Sequence, residues 1–107
     1  MEKRNTVVIK MITVRDNQNY HYIPIQVLAI RYENGKENEI YDSMIRTNKD
    51  LTEVTGLPKY INNEIIQMAP EAEYVARYLK KMIKDSEIIA DTHFEQFMLE
   101  NRIAIAN

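Results

Sequence analysis

An Asn-Gly pair between two strand-like runs constrains the fold of this chain of 107 residues more than any other feature. The two runs are residues 22–32 and 39–46, and residues 33–36 lie between them. Asn and Gly accept the positive φ angles of a tight hairpin turn, so the pattern predicts an antiparallel hairpin. The earlier run, residues 6–14, is almost entirely apolar and rich in β-branched residues, which predicts a strand buried on both faces. We therefore expect a three-stranded antiparallel meander.

The second half of the chain changes to helical patterns. A short helix is predicted to begin near Pro58, and Pro70 suits the first turn of a longer helix. Residues 87–90, Glu-Ile-Ile-Ala, are predicted to form a short buried strand, and Thr92 with Glu95 matches the capping box of a final helix. The longer helix carries one apolar stripe, made of Val75, Tyr78, Leu79, Met82 and Ile83.

The order of these elements predicts an α/β domain with a mixed sheet. Helices between the meander and residues 87–90 imply a crossover connection, and a right-handed crossover sets the following strand parallel to a meander strand. The expected sheet therefore has four strands, of which the fourth is parallel. The length predicts a single domain over residues 1–107.

Composition excludes several classes of function. The chain has 14 Lys and Arg against 16 Asp and Glu, a balance that argues against nucleic-acid binding driven by overall charge and leaves a local basic patch open. It has no cysteine, which removes disulfide and thiolate chemistry and is typical of a reducing compartment. Because no apolar run approaches the roughly 20 residues of a membrane span and the N-terminus lacks a signal-peptide pattern, we expect a cytoplasmic protein without membrane contact.

Four segments together are similar to one enzyme family. They are residues 25–30 in the second strand, Thr-Gly-Leu at 55–57, Ala-Pro at 69–70, and residues 88–99 with the sequence Ile-Ile-Ala-Asp-Thr-His-Phe-Glu-Gln-Phe-Met-Leu. Their order and spacing resemble the DEDD exonucleases, which are the DnaQ-like 3′–5′ proofreading and RNase T type. The resemblance extends from about Val7 to the end of the chain. It implies an RNase H-like fold without the family's C-terminal portion.

The resemblance also implies that the family's metal site is degenerate here. Family members hold two divalent metals with four carboxylates, and two of these form an Asp-x-Glu pair on the first strand. Lys10 and Ile12 occupy those two positions, and neither side chain offers the oxygen ligand that magnesium requires. The third carboxylate falls on Glu95, the preceding Asn of that motif falls on Asp91, and the fourth has no counterpart. We therefore expect no catalytic residues and no metal cofactor.

Two of these positions allow a simpler interpretation. Glu95 is either a remaining ligand or, as we favour, half of a helix cap with Thr92. Lys10 either extends to solvent or places its ammonium where a metal would sit, because a buried lysine needs a charged partner. The second possibility predicts an ion pair between Lys10 and Glu95 or Asp91.

The expected function is binding without catalysis. The resemblance implies an inactive exonuclease-like domain that regulates or inhibits a protein or nucleoprotein partner, of the kind that phages and mobile elements encode. The alternative is a 3′–5′ exonuclease whose Mg²⁺ or Mn²⁺ site is completed by another subunit. Apolar residues crowd the last segment and predict an interface with a protein partner or a second copy, unless the last two fold back onto the core; they are Phe97, Met98, Ile103 and Ile105.

Overall fold

The computed structural model describes residues 5–18 and 21–105. Over those residues it is an α/β structure with five strands and three α-helices. A short 3₁₀ helix, Leu51–Glu53, follows the third strand. The strands are β1 (Asn5–Asp16), β2 (Tyr22–Glu33), β3 (Lys36–Met44), β4 (Val54–Thr55) and β5 (Ser86–Ala90), and the helices are α1 (Asn63–Gln67), α2 (Ala72–Met82) and α3 (Thr92–Glu100).

The predicted meander is confirmed. β1 pairs with β2 and β2 pairs with β3, both in antiparallel orientation. The turn between β2 and β3 contains Asn34 at φ 55° and Gly35 at φ 77°. Both residues thus adopt the positive φ that a tight two-residue hairpin turn requires, which explains why the Asn-Gly pair was informative.

The rest of the sheet differs from the expected four strands with a parallel fourth strand. The fourth strand in the chain is β4, which pairs in antiparallel orientation with Arg15 and Asp16 at the end of β1. It contains only two residues, too few to produce a recognisable pattern in the sequence. The strand predicted over residues 87–90 is β5, the fifth strand, which runs parallel to residues 5–9 of β1. Its predicted burial is wrong, since Glu87, Ile89 and Ala90 are exposed. The sheet order is β3-β2-β1-β4, and β5 adds to the same edge of β1 as β4.

The two faces of the sheet are covered to different extents. On one face, here called the helix face, Val7, Ile9 and Met11 are buried in a core cluster that also contains residues of α2 and α3. On the opposite face, here called the open face, Val8 and Lys10 are exposed. The expected burial of the first strand on both faces is therefore wrong over this stretch. The apolar stripe predicted on α2 is confirmed, since all of its members are buried except the partly buried Tyr78.

The open face is covered only at one end. There a second core cluster contains Val14, Ile25 and three residues from the segment between β3 and α2, namely Leu51, Ile61 and Ile66. The β1–β2 register shifts in this region, because Ile12 faces Gln26 while Thr13 faces Pro24, which leaves Ile25 as an extra residue. Such a bulge bends and twists the strand.

Arg31 links the end of α2 to β5 from the helix face. Its guanidinium donates hydrogen bonds to the carbonyls of Met82 and Lys84 and to the hydroxyl of Ser86, the first residue of β5. It also forms an ion pair with Glu33 at 3.0 Å, and its side chain is only 14% exposed. Carbonyls at a helix end lack partners within the helix, and this single cation satisfies the Met82 carbonyl there together with the Lys84 carbonyl in the turn that follows.

Two tyrosine rings stack between β3 and α2, and the ionisation of one of them should affect stability. The rings of Tyr41 and Tyr78 lie 3.9 Å apart between centroids, and the Tyr78 hydroxyl donates a hydrogen bond to the Glu39 carboxylate. That hydrogen bond, burial and the nearby negative charge raise the pKa of Tyr78 to about 12.

The free energy of unfolding should therefore fall as the pH rises from about 10 to about 12. In that interval the unfolded chain releases the Tyr78 proton while the folded chain retains it, which favours unfolding. Urea denaturation at a series of pH values should show this decline in the wild type. The Tyr78→Phe variant should decline less steeply, and an identical decline in both proteins would contradict the assignment.

Candidate functional site

The four positions singled out by the family resemblance do not converge. Lys10 and Ile12 lie on β1 and point to the open face, because side chains alternate along a strand and Ile9 and Met11 are buried on the helix face. Asp91 and Glu95 lie at the start of α3, which packs on the helix face. The sheet itself therefore separates the first-strand pair from Glu95, whereas Asp91 directly follows Ala90, the register partner of Ile9, and lies at the sheet edge beside this part of β1.

The predicted ion pair of Lys10 is wrong. Lys10 is exposed, and among the residues that the structure describes no ion pair joins it to Asp91 or Glu95. The strand alternation that places Ile9 against the helices turns Lys10 away from them. Its ammonium is solvated, which was the simpler of the two interpretations.

Asp91 caps α3. Its carboxylate accepts a hydrogen bond from the backbone N–H of Phe94 at 3.2 Å, and its backbone is extended. The cap therefore lies one residue before Thr92, the position that the sequence predicted. Glu95 is exposed in the first helical turn, where a negative charge interacts favourably with the helix dipole.

Replacing Asp91 by alanine should lower the free energy of unfolding by about 1 kcal/mol, because an amide at the start of α3 loses its acceptor. Glu95→Gln is the matched control, since it removes a carboxylate from the same turn without removing a cap; its effect should stay within about 0.5 kcal/mol. Urea denaturation measures both variants. Equal losses in the two would show that charge, and not the cap, stabilises this end of α3.

Within residues 5–18 and 21–105, no group of three or more His, Cys, Asp or Glu side chains is arranged to hold a metal ion. Lys10 and Ile12 offer no oxygen ligands, so the first-strand half of the family's metal site does not fit a hard divalent cation.

The four residues predicted to form an interface belong to the core or lie beside it. Phe97 and Met98 are 2% and 0% exposed, because the face of α3 that carries them packs on the sheet. Ile103 and Ile105 are partly buried against the same cluster, and the Ile103 N–H donates to the Met98 carbonyl at 2.9 Å. The chain after α3 therefore folds back. Phe97 and Met98 are not available to a partner, and that part of the interface prediction is wrong.

A cleft of about 380 Å³ opens where the start of β2 meets the residues after β3 and the end of α3. Its lining includes Tyr22, Arg46, Lys49 and Glu100. The Nε of Arg46 donates to the Ala69 carbonyl at 3.0 Å. Arg46 also pairs with Glu71 at 3.6 Å, so part of its charge is already compensated. This cleft was not predictable from the sequence, because its lining comes from segments far apart in the chain.

The open face displays a row of four aliphatic side chains, here called the aliphatic row. Val8 faces Ile30 on β2 and Ile89 on β5, and Ile30 faces Ile40 on β3. Paired residues in a sheet project to the same side, so the four lie across four neighbouring strands. Ile40, Val8 and Ile89 are 55%, 37% and 52% exposed, and Ile30 is half-buried. The sequence pattern did not indicate this surface, because the nearly continuous apolar run over residues 6–14 predicted a first strand buried on both faces.

None of the described helices is long and apolar enough to cross a membrane. No protein-family description matches the chain, and no curated protein matches it significantly.

Proposed function

We propose that this protein is a catalytically inactive exonuclease-like domain that acts by binding a protein or nucleoprotein partner, as a regulator or inhibitor. One observation carries the proposal. The positions that hold the first two carboxylates in the resembled family are Lys10 and Ile12, and both project from the sheet face opposite to the helix that carries Glu95. Hydrolysis with two metals needs several carboxylates around one centre, and this arrangement does not supply them.

The topology supports the resemblance behind this proposal. Three antiparallel strands are followed by helices α1 and α2 and then by β5, which runs parallel to β1. A crossover of this kind after an antiparallel meander is expected of an RNase H-like fold. The motif of residues 88–99 then spans the end of β5 and the start of α3, with Asp91 at the helix cap and Glu95 in the first turn.

Binding is the activity that the surface of the chain favours. The aliphatic row is an apolar patch on a sheet face that no described element covers at that end. Contiguous apolar patches on a protein surface mark interaction sites more often than isolated apolar residues do. This patch replaces the predicted interface on α3.

A nuclease assay tests the proposal. Labelled single-stranded DNA and RNA would be incubated with purified protein in Mg²⁺ or Mn²⁺, alongside the Glu95→Gln variant prepared identically. We expect the wild type and the variant to leave both substrates intact. Metal-dependent degradation by the wild type that the variant lacks would overturn the proposal. Activity that appears only after a second subunit is added would instead support the alternative of a site completed between chains.

A further inference from the structure

The charged residues around the aliphatic row indicate which kind of partner it fits. A second row of paired residues lies next to the aliphatic row. In it, Thr6 faces Tyr32 and Glu87, and Tyr32 faces Glu37. Both ends of this neighbouring row are therefore glutamates, and both are exposed. The aliphatic row thus ends beside an acid on each of the two outer strands.

The other side of the aliphatic row adds one acid and one base. There Leu28 faces Lys10 on one side and Asp42 on the other. Asp42 accepts a hydrogen bond from the Gln26 side chain at 3.0 Å. In the described part of the chain, none of Glu37, Asp42 and Glu87 has an ion-pair partner. Three carboxylates against one ammonium give the border of the patch a negative charge.

This border argues against a second copy as the occupant. A two-fold axis parallel to the strands would place β3 over β5 of the other copy, and therefore Glu37 against Glu87. A two-fold axis across the strands would place β3 over itself, and therefore Glu37 near Asp42. Either symmetric arrangement opposes like charges at a desolvated border, which is unfavourable. The same charge disfavours nucleic acid, whose phosphates are anionic.

We propose that the aliphatic row docks an amphipathic helix of a partner protein, with an aliphatic stripe facing the row and Lys or Arg side chains facing Glu37, Asp42 and Glu87. The inference rests on the proposed function, since it names the partner chemistry of that binding activity. The helix face offers a precedent within this chain. There α2 lays the aliphatic side chains of Val75 and Leu79 against the sheet. A helix on the open face would complete a layer on each side of the sheet.

Methyl NMR titration tests the inference with two synthetic peptides. Each is an amphipathic helix of about five turns with leucines on one side. The first has lysines on the other side, and the second has glutamates in their place. We expect the lysine peptide to shift the methyl signals of Val8, Ile30, Ile40 and Ile89. The glutamate peptide should bind at least about tenfold more weakly, because it opposes the acidic border.

Three double variants make the test specific. Ile40→Lys with Ile89→Lys changes the exposed ends of the row and should abolish binding. Met68→Lys with Leu99→Lys is the control, because these side chains are 85% and 76% exposed and lie outside the row; it should leave binding unchanged. Glu37→Lys with Glu87→Lys should reverse the preference between the peptides. The methyl spectrum of each free variant verifies that it remains folded.

Three results would overturn the inference: equal binding of both peptides, shifts confined to another surface such as the cleft at Tyr22, or no binding at all. Concentration-dependent self-association that Ile40→Lys with Ile89→Lys removes would also overturn it, in favour of a second copy. These failures are distinct from failure of the proposed function, which the nuclease assay decides independently. If the protein has no nuclease activity and does not bind the lysine peptide, only the helix-docking inference is contradicted.

Discussion

Replacing Phe97 by alanine should lower the free energy of unfolding by about 3–5 kcal/mol. Phe97 is 2% exposed and packs in the cluster that joins α3 to the helix face of the sheet. Removing its ring loses buried apolar area and leaves a cavity that the surrounding strands and helices fill only partly. Because a domain of this size is stable by roughly 5–15 kcal/mol in total, the variant should be largely destabilised.

Leu99→Ala is the control for this prediction, since Leu99 lies on the same helix and is 76% exposed. Its effect should remain within about 0.5 kcal/mol. Urea denaturation followed by circular dichroism measures both. A small loss for Phe97→Ala combined with a change in oligomeric state would mean that Phe97 lies at an interface after all.

Replacing Arg31 by methionine should lower the free energy of unfolding by about 3 kcal/mol. The methionine keeps the aliphatic stem and removes the donors that reach Met82, Lys84 and Ser86. The carbonyls at and just after the end of α2 then lose a charged hydrogen-bond donor. Because this region is half-buried, water does not fully substitute for the lost hydrogen bonds. Because the contact fixes the turn between α2 and β5, we also expect faster amide hydrogen exchange in β5.

Arg77→Met provides the comparison for Arg31. Arg77 lies on α2 itself and pairs with Glu73 at 2.5 Å, but its side chain is 69% exposed. An exposed ion pair one helical turn apart contributes only about 0.3–0.5 kcal/mol. If the two methionine variants lost the same stability, the hydrogen bonds of Arg31 would have no special role.

The local features of the fold were predictable from sequence. Asn34 and Gly35 specify a hairpin because their backbone preferences require no tertiary context. The spacing of Val75, Leu79 and Met82 likewise indicates a helix with one buried side. These predictions depend only on neighbours within a few residues.

Features that depend on which element covers which face were not predictable. Val8 and Ile9 are both β-branched, yet one is exposed and the other is buried, because the helices and the segment over residues 51–66 cover different parts of β1. The apolar side of α3 could equally have faced a partner or the core. Only the fold decides between them, and it places Phe97 in the core.

The candidate site was likewise predictable only in part. The sequence alone shows that Lys10 and Ile12 stand at the first-strand positions of the resembled motif. Neither side chain offers an oxygen ligand for a hard divalent cation. The face of the sheet to which the two side chains point was not predictable, since a register shift of one residue moves a strand side chain to the opposite face. The predicted contact between Lys10 and the acids of α3 failed for that reason.

Titration with paramagnetic Mn²⁺ tests the central claim, that this chain binds without metal-dependent catalysis, most directly. Amide signals in ¹⁵N NMR spectra would be followed as Mn²⁺ is added, with the exposed Glu73 as a reference carboxylate. The account predicts that Lys10, Ile12, Asp91 and Glu95 broaden no more than Glu73 does. Selective and saturable broadening of β1 together with the start of α3 would contradict it, because it would place a metal between side chains on the open face and the helix that carries Glu95 on the other face.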